Sequence, residues 1–324
     1  MIKYSVAVTV GTYNPIWKKL EATLRSILQQ KNVNFQIIIS DDGSKYNCFN
    51  EAKELFKKYG FSDYIMVAAK RNEGTVSQVY HGLKATNSDY VKPLSPGDLL
   101  YNEYTLARWL EFMHATQADI TFGDAVFYNL KNKKLNIIPH VHNPMNMAVY
   151  QKNASYYDLI INYTLFGDGI SGASIFARRD VLFRYMKLLL GKVIYAEDFF
   201  IRLAILEKKQ LFYYPQSVIW YEYADGGIST SGKEKWINLL RKDDLAMDEI
   251  CLSNWSSEDS TAIHYFNMAV ENKRQPNKSF VHKFYGYICN PRVAYWRIHR
   301  KLFKTYSPTK VDNQFFKKCF YTNN

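Results

Sequence analysis

A chain of 324 residues, 47% hydrophobic and 22% charged, has the composition of a soluble globular protein, with enough length for one large domain plus an appendage, or for two. No run approaches the ~18 apolar residues of a membrane-spanning helix, and the first residues pass straight into a strand-like pattern, so no leader is expected and the chain is expected to stay in the cytoplasm. The net charge of +12 is concentrated: from Lys273 onward twelve Lys and Arg stand against a single acid, Asp312, which leaves residues 1–272 nearly neutral.

In chain order, Tyr4–Val10 is apolar and rich in valine, the composition of a buried strand. It ends at Gly11-Thr12-Tyr13-Asn14-Pro15, where Asn14 suits an N-cap and Pro15 a first helical residue. Trp17, Leu20, Leu24, Ile27 and Leu28 then share one helical face. A second strand, Phe35–Ile39, stops at Ser40-Asp41-Asp42-Gly43-Ser44, and a helix is expected from about Asn50 to Tyr59. A strand at Tyr64–Ala68, the turn Arg71-Asn72-Glu73-Gly74, a helix to Ala85 and a strand opening at Tyr90 and stopping at Pro93 follow. Strand and helix alternate three times, so the sheet is expected to be mainly parallel. The first turn lacks GxGxxG, which argues against a dinucleotide-dependent oxidoreductase. A uracil base needs an acceptor for its N3–H, which Asp41 or Asp42 would supply, and a flat face, which Tyr13 would supply; the bland alternative is that Asp42-Gly43 is only a turn.

Ser95-Pro96-Gly97 reads as a tight turn that presents Asp98 at the carboxyl end of a strand, where open α/β sheets bind their ligands. The alternative is that Asp98 caps the helix starting near Asn102. A helix at about Glu103–Thr116 and a strand at Asp119–Tyr128 come next. His140-Val141-His142 would put both imidazoles on one face if extended, but a third metal ligand is missing nearby, so a polar loop is the reading preferred. Residues 143–163 read as a loop and a short helix. Phe166–Gly172 is glycine-rich, letting backbone approach a ligand; Asp168 and Gly169 are candidate acceptor contacts there, or Asp168 is a turn residue. Glu197-Asp198 opens a strongly apolar helix, so the pair either performs acid–base work from a rigid mount or merely favours the helix start.

Thr12-Tyr13-Asn14, then IIISDDGS at Ile37–Ser44, then Asn72-Glu73-Gly74, then GLKATNSDYVKPLSPGD ending at Asp98 together resemble the nucleotide-binding half of family 2 glycosyltransferases with the GT-A fold. The resemblance covers roughly residues 4–230. It implies inverting transfer from a nucleotide-sugar, usually a UDP-sugar, to an acceptor hydroxyl, with Mn²⁺ or Mg²⁺ bridging the diphosphate and an aspartate. Carried onto this chain, it implies Asp98 as metal ligand, Asp198 as base with Glu197 orienting it, and nucleotide contacts at Thr12, Tyr13, Asn14, Asp41, Asp42, Arg71 and Asn72. The chain departs from the family at three places. Only one acid stands in Ser95-Pro96-Gly97-Asp98, Tyr80 replaces an expected asparagine, and Ala224–Ser229 carries no histidine, so that loop is expected to close over the diphosphate through backbone N–H groups.

The fold expected is therefore α/β, a GT-A catalytic domain over 1–230 with a helical, basic, aromatic-rich extension over 231–324. A helix from Pro291 would set Tyr295, Trp296, Ile298, His299, Leu302, Phe303 and Tyr306 against Arg297, Arg300, Lys301 and Lys304. Such a helix suits an anionic membrane surface, unless it packs on the catalytic domain; no recognition fold supports nucleic-acid binding. The function expected is transfer onto a glycan or lipid-linked acceptor in surface-polysaccharide synthesis, of the capsule or O-antigen type. A non-catalytic sugar-nucleotide-binding subunit is the alternative. Cys48, Cys251, Cys289 and Cys319 show no metal-type spacing and read as reduced thiols.

Overall fold

A computed structural model describes residues 5–131, 134–138, 144, 146–223, 232–274, 279–289, 291, 294–295, 298–299, 302 and 311–321. The His140-Val141-His142 segment, the Ala224–Ser229 loop and most of the expected helix 291–306 lie outside the described residues.

The strands are β1 (Val6–Thr12), β2 (Phe35–Asp41), β3 (Tyr64–Ala68), β4 (Tyr90–Leu94), β5 (Leu99–Leu100), β6 (Ile120–Lys131), β7 (Lys134–Ile137), β8 (Ile175–Arg178) and β9 (Leu211–Glu222). They form one sheet in the order β3-β2-β1-β4-β8-β6-β9-β5, with β7 on β6. The pairs β1·β2, β1·β4 and β2·β3 are parallel, as the alternation of strand and helix requires. Beyond β4 the pairing turns mixed: β8 runs antiparallel to both β4 and β6, and β9 parallel to β6. Contrary to expectation, β4 continues through Pro93, which pairs with Thr9 of β1. The missing N–H is tolerated because β8 reaches only Tyr90 and Val91, leaving that side of β4 an edge at Pro93.

The helices are α1 (Trp17–Leu28), α2 (Phe49–Lys58), α3 (Thr75–Lys84), α4 (Thr105–Thr116), α5 (Tyr156–Ile160), α6 (Arg179–Leu189), α7 (Phe200–Leu206), α8 (Glu234–Asn254), α9 (Ser260–Arg274), α10 (Ser279–Cys289) and α11 (Gln314–Phe320). Leu20, Leu24 and Ile27 of α1, at i, i+4 and i+7, are fully buried against Val6, Val8 and Val10 of β1. Asn14 does not cap α1. It adopts a left-handed φ of 45°, and its side chain accepts from Lys45 N while its own N–H donates to Ser44 Oγ, tying the β1 loop to the β2 loop.

On the other sheet face, Phe122, Ile175, Tyr185 and Leu203 pack in one core with Met247 and Ile250 of α8 and Phe266 of α9. Residues from the expected extension thus help to bury α7. The chain end returns as well: Phe316 and Phe320 of α11 sit in a separate cluster with Trp220 and Tyr128, Phe316 meeting the Tyr128 ring edge-on at 4.7 Å. Cys48, Cys251 and Cys319 are free and buried.

Candidate active site

A cleft of about 860 Å³ opens at the carboxyl ends of β1, β2 and β4, where Gly11, Ser40 and Leu94 line it. Its other walls are Gly167 with 169–173, 195–200 and 221–223. Asp98 and Asp198, a hundred positions apart, both face into it.

Asp98 is presented by a braced turn and does not cap α4, whose Leu106 N–H donates to Gln30 Oε1 instead. Asp98 N–H donates to Ser95 O at 3.0 Å, Gly97 N–H donates to Thr23 Oγ1 at 3.0 Å, and Tyr128 OH donates to Gly97 O. Gly97 has φ of 104°, and a side chain there would strike the Glu222 carboxylate. The Asp98 carboxylate accepts the Glu222 N–H at 3.2 Å, and Glu222 is itself ion-paired to Lys19 at 2.7 Å. Burial pushes the Asp98 carboxyl up to about 7, against the pull of that N–H and of the Lys92 charge. Lys92 is wholly buried; its Nζ donates to Pro93 O and Ala173 O, so it ties β4 to the loop across the cleft. Burial lowers the Lys92 ammonium to about 7, with Asp98 opposing.

Glu197 and Asp198 lie in a short 3₁₀ turn that leads into α7. Thr75 Oγ1 donates to Glu197 Oε2 at 2.6 Å, and Gly172 N–H donates to Asp198. A β-carbon on Gly172 would sit 3.2 Å from that of Asp198, so glycine is what lets the loop close on both acids. Desolvation, then the charge of Glu197, raises the Asp198 carboxyl to about 7; desolvation raises Glu197 too. The turn hangs on α8: the Asp243 carboxylate accepts the N–H groups of Ile194, Tyr195 and Ala196 at 3.0, 2.6 and 3.1 Å. Arg202 of α7, paired with Asp244 and Asp248, and Lys273 on the same two acids fasten α7, α8 and α9 together.

The other expected site residues divide. Thr12, Tyr13, Asn14, Asp41, Asp42, Arg71 and Asn72 gather at the ends of β1, β2 and β3, beside the cleft rather than on its wall. Asp41 accepts from Thr12 Oγ1 at 2.9 Å and from Ser44, and Asp42 accepts from Glu73 N and Gly74 N at 2.8 and 2.9 Å. Both acids therefore shape loops; burial raises the Asp42 carboxyl. The Tyr13 ring is half exposed and Arg71 lies out on the rim beside Glu73. Asp168 points inward, accepting from Asn146 N and Asn162 Nδ2, both at 2.9 Å, so it braces its loop while Gly169 lines the cleft. Lys19, Gln78, Tyr195 and Glu222 line the cleft although the sequence reading passed them over. Glu222 carried a usable signal, an acid ending an apolar strand as at Asp41 and Asp98. Asp243 carried none, since an acid in a charged helical run looks solvated.

Among the described residues no cluster of three or more His, Cys, Asp and Glu side chains forms a closed metal site. The cleft offers two neighbouring carboxylates, Asp98 and Glu222, on one wall. Such a pair fits a hard cation that takes its other ligands from phosphate oxygens and water.

The profile described as Glycosyl transferase family 2 matches residues 7–182. An uncharacterized glycosyltransferase of Rickettsia conorii is 30% identical over 137 residues, covering 42% of this chain and 21% of its own. The chain thus spans about a fifth of the length of that relative. Among solved structures, Staphylococcus aureus TarS 1–349 in complex with UDP superposes with a TM-score of 0.52 at 15% identity, covering 96% of this chain and 94% of that one. The mannosyltransferase PcManGT of Pyrobaculum calidifontis, in complex with GDP-Man and Mn²⁺, gives 0.58 at 11% identity over 99% and 84%. These likenesses establish the GT-A fold. With the profile covering more than half of the sequence, and its matched stretch carrying the turn that presents Asp98, the chain belongs to glycosyl transferase family 2.

Proposed function

We propose that this chain transfers a sugar from a nucleotide-sugar, by preference a UDP-sugar, to a hydroxyl of a glycan or lipid-linked acceptor, inverting the anomeric carbon. The observation that carries the reading is that Asp98 and Asp198 open into one cleft. In a single displacement the acceptor oxygen bonds to the anomeric carbon as the bond to the diphosphate oxygen breaks, and Asp198 takes the acceptor proton. The Gly172 N–H holds Asp198, with Glu197 fixed beside it by Thr75, so the base is already oriented when the acceptor enters. A carboxyl near 7 is a competent base at neutral pH, being partly ionised and still basic. A divalent cation, Mn²⁺ or Mg²⁺, supplies charge stabilisation to the leaving diphosphate when bound; Asp98 and Glu222 are the residues that would hold it. The complexes of TarS with UDP and of PcManGT with GDP-Man and Mn²⁺ support both donor class and metal. Tyr13 offers a half-exposed ring beside the cleft on which a base can stack.

The setting we favour is surface-polysaccharide assembly at the inner face of the membrane, supported by the basic C-terminal segment. Among the described residues no helix is long and apolar enough to cross a membrane.

Turnover of a nucleotide-sugar panel, with Mn²⁺ and with a chelator, tests the reading in the wild type, Asp98→Ala and Asp198→Ala. We expect Asp198→Ala to lose about 10²-fold or more and chelation to silence the wild type. A protein that binds nucleotide-sugars yet turns none over would instead be a sugar-nucleotide-binding subunit.

A further inference from the structure

Helix α10 carries an unusual surface. Phe280, Val281, Phe284, Tyr285 and Ile288 are 79, 62, 58, 47 and 63% exposed. At 100° per residue they fall within an arc of about 140°. Tyr295, Ile298 and Leu302, which the sequence pattern places on the apolar side of the following helix, are more than half exposed too. Single exposed apolar side chains are ordinary, but a contiguous set of this size marks a contact surface. The helix is nonetheless anchored: Tyr287 stacks on Phe166 with ring centroids 4.5 Å apart. Phe166 leads directly into Gly167–Gly172, the loop that lines the cleft beside Asp198.

We propose that this apolar face seats the protein on an anionic lipid bilayer, which brings the 167–172 side of the cleft to the membrane surface where a lipid-linked acceptor would be presented. The acceptor clause rests on the transfer reading above; the seating does not. Charge selects the occupant. Lys273 and Arg274 are engaged by Asp244, Asp248 and Glu249, but ten further Lys and Arg follow against one acid, Asp312. Phe, Ile and Val entering the acyl boundary with basic residues at the headgroups is the pattern of an interfacial helix. A second copy of this chain would bring a like-charged segment against the first. Nucleic acid would answer the charge but offers no apolar phase for Phe280, Val281 and Ile288.

Vesicle flotation of the full chain tests this, with neutral phosphatidylcholine vesicles beside vesicles containing phosphatidylglycerol, at low salt and at ~1 M, where the Debye length falls to about 3 Å. The comparison protein is the double variant Phe280→Ser, Phe284→Ser, both residues being exposed and outside the cleft. The wild type is expected to float with anionic vesicles at low salt, largely to leave them at high salt, and to bind neutral ones poorly. The double variant is expected to bind at least about tenfold less while keeping its donor turnover and melting temperature. A wild type that stays unbound, or a double variant that floats as well as the wild type, overturns the proposal. So does a wild-type dimer, read by light scattering, that the double variant converts to monomer without any vesicle binding. Flotation needs no nucleotide-sugar, so its failure leaves the transfer reading intact, and a failure of turnover leaves the seating intact.

Discussion

Asp198 sits where two costs meet: it is desolvated, and it neighbours Glu197. Its carboxyl is held at about 7 rather than the ordinary 3.8. As the proposed base it must be ionised, so the transfer rate is expected to rise as pH climbs through about 7 and to level off above, which a pH–rate profile at saturating substrates checks. The same shift bears on stability with the opposite sense. The folded protein holds this proton more tightly than the unfolded chain does, so the favourable contribution is full below about 4 and is lost as pH rises toward 7. Asp198→Asn, neutral at every pH, is therefore expected to melt above the wild type at pH 8, with the gap shrinking as pH falls toward 4, while its transfer rate drops about 10²-fold or more. Calorimetric melts across that range, run beside activity assays, decide it. Lys92 was invisible in sequence because a lysine inside a strand looks like an edge residue. Lys92→Met keeps its volume but leaves the carbonyls of Pro93 and Ala173 without their donor, a loss of about 1–3 kcal/mol in denaturant unfolding.

At the level of elements, the first four strands and their helices were legible because apolar runs alternate with helical faces and each strand ends in turn chemistry. Boundaries moved by one or two residues where a cap was misassigned, as at Asn14. The acidic motifs were legible as motifs; their duties were not. Asp41, Asp42 and Asp168 read as ligand contacts or as turn residues, and the structure adds that each accepts hydrogen bonds from neighbouring loops, because sequence does not show which way a carboxylate turns. What positions the turn that carries Glu197 and Asp198 is α8, through Asp243. Asp243→Asn removes acceptor capacity from the Ile194–Ala196 amides, so we expect a stability loss of about 1–3 kcal/mol and a lower rate of transfer with donor affinity retained. Paired unfolding and kinetic measurements would show it. Helix α11 was missed because Phe315-Phe316 and Cys319-Phe320 form barely two turns after a long basic stretch. Phe316→Ala opens the space between Tyr128 and Trp220 and is expected to cost about 3–5 kcal/mol, read from the denaturant midpoint.

For the molecule as a whole, the charge boundary near Lys273 falls at the end of α9, beyond the helices that complete the core around α7. Composition therefore recorded where the surface changes character, while packing is continuous across α8 and α9, residues 234–274. The sheet explains why two acids so distant in sequence share a cleft. Asp98 follows β4, the last strand of the parallel run β1–β4, and Asp198 sits in a turn that α3 and α8 hold over their carboxyl ends. The duties proposed for these acids are separate, Asp98 toward the diphosphate and its cation, Asp198 toward the acceptor proton. Calorimetric titration of UDP in the presence of Mn²⁺ into Asp98→Asn and Asp198→Asn tests that division most directly. Asp198→Asn is expected to bind as the wild type does and Asp98→Asn at least about tenfold more weakly; wild-type affinity in Asp98→Asn, or lost affinity in Asp198→Asn, would contradict it.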